Sequence, residues 1–147
     1  MSSRKELEIQ YWQDGYFIRQ IEGSVPSHSM IYQLPYVPFP ETPPAHEMKD
    51  YDEMRGYLHS GSLRWSYGAM KGRGTDRWLS AIGAQPVDQM LHSVATAGFA
   101  GIYIDRYGYA DHAAAIESQL KKLLDEEPLV SETGRLSFFL LRPDQRR

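Results

Sequence analysis

The sequence predicts an α/β fold: one domain holding a small, mostly parallel sheet flanked by helices. Two observations carry that prediction. The C-terminal half alternates segments of helical period with short apolar runs, in the order helix, strand, helix, strand. The last apolar run, "RLSFFLL" (135–141), is continuous and not alternating, as expected of a strand covered on both faces. The chain has 147 residues, enough for a single core.

The elements follow in order. Residues 4–22 read as an amphipathic helix, with Leu7, Tyr11, Ile18 and Ile21 at helical spacing and Asp14 interrupting the stripe. Gly23 and Pro26 in "EGSVPSHS" end it. Met30 to Leu34 form a short buried strand. Pro35, Pro38 and Pro40 then stop regular pairing, because proline lacks the N–H that a ladder needs. "PETPPAHEMKD" reads as a proline-rich loop. A helix is expected to start near Arg77, with Thr75 or Asp76 as its cap. Pro86 suits the first position of the following helix, whose stripe is Val87, Met90, Leu91 and Val94, and Gly98 suits its left-handed stop. "AGIYID" (100–105) is the next strand. Asp111 caps a helix that buries Ile116, Leu120, Leu123 and Leu124, and Pro128 prevents its continuation. "SETG" (131–134) is a turn before the final strand.

Composition excludes several classes. The net charge is −3 and the isoelectric point about 5.9, which argues against a general nucleic-acid binder. The absence of cysteine removes disulfides, thiolate catalysis and cysteine–zinc sites. His28, His46, His59, His92 and His112 have no ligand-pair spacing, so no metal and no cofactor is expected. No apolar run is long enough to span a bilayer and no signal peptide is visible, so the chain reads as soluble. Ten tyrosines and three tryptophans supply flat rings with polar tips, suited to stacking on sugars, to protein interfaces or to an aromatic core.

Charge changes sign in mid-chain. Residues 41–54 carry a net −4 and residues 55–77 a net +4. The two blocks either pair across the surface or leave the basic one facing an anion. The basic block contains "WSYGAMKGRGTDRW" (65–78), whose three glycines invite a nucleotide reading. Their spacing, G-x-x-x-G-x-G, reverses the dinucleotide fingerprint, and Lys71 precedes its glycine where a P-loop lysine follows. What remains is a basic turn, either a plain loop or an anion site, with Trp65, Tyr67, Lys71, Arg73 and Arg77 as candidate ligand contacts.

The second candidate is "GIYIDRYGYADH" (101–112). Asp105 falls at the carboxyl end of a strand, the edge where open α/β sheets gather ligands. Arg106, Tyr107 and Tyr109 follow in one short loop. Asp105 is a weak candidate general base. A glycosidase needs a second carboxyl at a defined distance, and Glu41, after the other strand's proline run, is the candidate partner. The alternative is a surface Asp105–Arg106 feature beside a helix cap. Lys71 and Arg73 are expected at the surface near Asp105.

Three segments, "IYQLPYVPFPE" (31–41), "YDEMRGYLHSGSLRWSYGAMKGR" (51–73) and "GFAGIYIDRYGY" (98–109), resemble the soluble C-terminal domain of bacterial multi-spanning membrane proteins described as sugar translocases, phosphoglycerol transferases or glycosyltransferases. The likeness runs over about residues 31–141 and carries no catalytic residues with it. It implies a non-catalytic domain excised from a larger protein, at the extracytoplasmic face of the bacterial inner membrane. There it would bind a glycan or lipid-linked sugar phosphate beside the membrane part of its parent. Two other readings stay open: a small stand-alone carbohydrate-processing enzyme using Asp105, and a protein-interaction module using the Tyr/Trp surface. "GFAGIYIDRYGY" also looks like a strand of a glycoside hydrolase barrel, but an eight-stranded barrel takes about 250 residues.

Overall fold

The structure is a computed structural model, described here for residues 4–36, 61–66, 73–142. Helix α1 is Arg4–Ser24, strand β1 Met30–Leu34, β2 Arg64–Trp65 and helix α2 Arg73–Gly83. Helix α3 is Val87–Thr96, β3 Gly101–Asp105, α4 Ala114–Leu124, β4 Leu129–Val130 and β5 Leu136–Leu140.

The strands form one sheet in the order β2-β1-β3-β5-β4. β1 runs parallel to both β2 and β3, while β5 is antiparallel to β3 and β4. Four strands therefore point one way and β5 alone is reversed, so the sheet is mostly parallel and the chain is α/β. β5 lies inside the sheet, and four of its five residues are buried, as its unbroken apolar run requires.

Alternation along the strands builds two cores. Tyr32, Leu34, Ile102, Ile104 and Phe139 face one side, where they meet Leu79 and Ile82 of α2, Met90 and Val94 of α3, and Leu120 and Leu124 of α4. Ile31, Tyr103, Leu136 and Phe138 face the other side with Trp65, and Phe17, Ile18 and Ile21 of α1 cover them. Among the described residues, three helices thus cover one face and α1 the other.

Several expectations shift by a turn or less. α2 begins at Arg73, four residues before Arg77, so Gly74, Thr75 and Asp76 are helical and none of them starts the helix. Pro86 is the residue before α3, with extended backbone at φ −54° and ψ 151°. Leu123 is exposed because the buried stripe of α4 runs through Glu117, Leu120 and Leu124, and position 123 turns away from it. Asp14 is buried within the α1 stripe, and Leu7 and Tyr11 lie outside the described side chains. Gly98 does take the left-handed stop, at φ +94°. The two-residue strands β2 and β4 leave no periodic signal, since two residues cannot show alternation.

Candidate functional site

The carboxyl end of β1 opens onto a cleft of about 330 Å³. Leu34, Pro35 and Tyr36 form its strand side, Ser80, Gly83 and Ala84 its α2 side, and Tyr109 arrives from the loop after β3. The position follows from topology. β1 and β3 are adjacent parallel strands, and the segments leaving their carboxyl ends bound a crevice there.

Tyrosines shape this crevice. The Tyr32 and Tyr36 rings stack with centroids 6.3 Å apart and planes 12° apart, and Phe99 meets Tyr32 edge-on at 5.6 Å. The Tyr32 hydroxyl donates to the Leu79 carbonyl at 2.7 Å, tying β1 to α2 under the cleft. Gly83 belongs here for reasons of space. A Cβ at this position would sit 2.9 Å from the Tyr32 hydroxyl oxygen. Burial pushes the Tyr109 hydroxyl well above the ordinary tyrosine range, and the Asp111 charge adds to it. Burial, with Tyr109 nearby, does the same to Tyr32. Both hydroxyls stay protonated through the neutral range. None of the seven described lining residues carries a charge.

A polar network stands beside the cleft at the end of β3. The Asp105 carboxylate accepts two hydrogen bonds at 3.0 Å from Arg135, one on each oxygen, and a third at 3.0 Å from the Tyr107 backbone N–H. Asp105 is 2% exposed. The Arg135 guanidinium lies 4.3 Å from the centre of the Tyr107 ring, whose other neighbour is His112, stacked at 5.4 Å. Arg106 binds Glu117 of α4 through two bonds of 2.8 Å and donates to the Gly134 carbonyl at 2.9 Å. Its hydrogen bonds to Glu117 raise its already high pKa, against the opposing effect of burial. The Ser137 hydroxyl adds a third donor to Glu117 at 2.8 Å. This network joins β3, β5 and α4. It suits an anchor and not a general base, because the Asp105 oxygens are engaged and out of solvent.

The sequence candidates therefore separate. Asp105 and Arg106 belong to the anchor, with Arg135 and Glu117 as partners; the expected Asp105–Arg106 surface feature is replaced by these two buried or half-buried ion pairs. Asp111 does hold the start of α4, accepting from the N–H groups of Ala113 and Ala115. Tyr107 is 39% exposed on top of the anchor. Among the described candidates, Tyr109 alone lines the cleft. Arg77 is exposed on α2. Trp65 is fully buried, edge-on to Tyr103 at 5.1 Å, and so offers no face to a sugar; Trp78 is 46% exposed. Tyr67, Lys71, the Arg73 side chain and Glu41 lie outside the described residues, as does the expected approach of Lys71 and Arg73 to Asp105.

Tyr36, Ser80 and Gly83 were missed. Tyr36 was within reach of the sequence: the strand-end rule that drew attention to Asp105 after β3 applies equally to the residues after Leu34. Ser80 and Gly83 carry no such signal. Among the described residues, no group of three or more metal-ligating side chains comes together and no helix is long and apolar enough to cross a membrane. Comparison with protein-family models, with curated proteins and with solved structures finds no match.

Proposed function

We propose that this chain is a non-catalytic glycan-binding domain, serving at the extracytoplasmic face of a membrane-embedded glycosyl- or phosphoglycerol-transferase. Its ligand would be a glycan or lipid-linked sugar phosphate. The observation that carries the binding half is the cleft between Tyr36, Tyr109 and α2 at the carboxyl end of the parallel strands, whose described lining residues are uncharged. Aromatic rings beside small polar groups suit the apolar faces and hydroxyls of a sugar. At about 330 Å³ the cleft is at the small end of ligand sites, sized for one ring and not for a long oligosaccharide. The engaged state of Asp105 supports a binding role over a hydrolytic one. The membrane setting is carried by the resemblance of residues 31–141 to such domains.

Nuclear magnetic resonance titration tests the binding half. Methyl glycosides should move the backbone signals of Tyr36, Ser80, Gly83 and Tyr109 at about millimolar ligand, and Tyr109→Ala should abolish the effect. If no cleft signal responds to any glycoside up to its solubility, the glycan reading is wrong. The membrane setting has its own test in the parent gene. A reading frame that encodes no membrane-spanning segments beside this domain would remove it.

A further inference from the structure

The described residues that line the cleft carry no charge, and the helix that forms one wall of it bears a cation on its exposed side, one turn from Ser80. Arg77 precedes Ser80 by three residues and Ala84 by seven. In a helix those offsets put Arg77 on the side of Ser80 and almost in line with Ala84, about 4.5 Å below Ser80 along the axis. The helical geometry holds to the end of that line, because the Ala84 N–H still bonds the Ser80 carbonyl at 3.2 Å. Arg77 is exposed, and no carboxylate within the described residues forms an ion pair with it. A guanidinium one turn from Ser80 is free to meet an anion attached to whatever occupies the cleft.

We infer that the site recognises a sugar carrying a phosphate, with the uncharged ring seated between Tyr36 and Tyr109 and the phosphate outside, on Arg77. This rests on the glycan-binding reading above and assigns the two ends of the ligand. Among the described residues the ring end meets only neutral groups, where an ionised phosphate buried without a partner would be costly. The phosphate end meets the residue type whose planar fork matches phosphate oxygens. Arg77 is then the specificity-determining residue, and the tyrosines supply affinity common to all sugars.

The test titrates wild type, Arg77→Gln and Arg77→Lys with three probes: methyl α-D-glucopyranoside, α-D-glucose 1-phosphate and dodecyl phosphoryl glucose. Wild type should bind glucose 1-phosphate about fivefold more tightly than the neutral glycoside at low salt, and the gain should shrink as salt is added. Arg77→Gln should remove the gain and leave the neutral glycoside unchanged, while Arg77→Lys should keep part of it. An equal gain for the dodecyl diester marks a lipid-linked source, and a gain for the monoester alone marks a free sugar phosphate. Neutral glycoside binding with no phosphate gain, or a gain untouched by Arg77→Gln, overturns this inference and leaves the glycan reading standing. Failure of all three probes to bind overturns both.

Discussion

Arg135 donates two hydrogen bonds of 3.0 Å to Asp105, with both side chains almost entirely out of water. Removing one partner leaves the other as a buried, unpaired charge. Asp105→Ala should therefore destabilise the fold by about 3–5 kcal/mol in urea denaturation. The double substitution Asp105→Ala, Arg135→Met should cost much less than the two single changes added together, because it strands no charge. Additive costs below about 1 kcal/mol each would mean that the pair is not an anchor. The residue type was legible in advance, and so was its place at a strand end. Its occupation was not, because Arg135 lies thirty residues away in sequence and reaches Asp105 only through the antiparallel pairing of Asp105 with Leu136.

At the scale of elements, β3 and β5 approach closely at Gly101. A Cβ on Gly101 would fall 2.2 Å from the Phe138 ring and 2.9 Å from the Phe139 carbonyl oxygen. The oxygen is backbone of β5, a strand paired on both sides, and the ring is buried, so neither can give way cheaply. Gly101→Ala should cost about 3 kcal/mol, at the upper end of overpacking effects, read as a lower urea midpoint. A cost below about 1 kcal/mol would show that β5 slides readily against β3. Most elements were visible in their periodicity: Met30–Leu34 was located to the residue, and α4 was recognisable from its stripe and from Pro128. The start of α2 was misplaced because Gly74, Thr75 and Asp76 look like cap and turn residues locally. Leu79 and Ile82 of the same helix are buried against the sheet, and that packing outweighs weak local preference.

For the whole molecule, two buried tyrosines set a limit at high pH. The folded state holds Tyr32 and Tyr109 protonated beyond the ordinary tyrosine range, so it resists losing protons that the unfolded chain releases near pH 10. Their contribution is fully present below about pH 10 and is lost as pH rises further, by about 1.4 kcal/mol per pH unit for each tyrosine. Tyr32→Phe should lower stability by about 1 kcal/mol at neutral pH, through the lost bond to Leu79, and yet flatten the alkaline decline. Thermal unfolding of both proteins from pH 8 to 11.5 reads this out. Parallel curves would place Tyr32 in contact with water. Binding of a neutral glycoside in the cleft should be flat across the neutral range, since both hydroxyls stay neutral there.

The sequence by itself determined the fold class, the order of the main elements and the exclusion of thiol chemistry. Those properties are local: periodicity, proline and glycine placement, and composition are written residue by residue. The tertiary structure alone decided which polar residues pair and which aromatic rings face a cleft. Asp105 became an anchor and Trp65 a core residue, while Tyr36 and Ser80 came together across a crevice formed by β1, α2 and the loop after β3. A side chain's partners depend on strand order and register, and these are settled by long-range pairing that no single stretch of sequence contains.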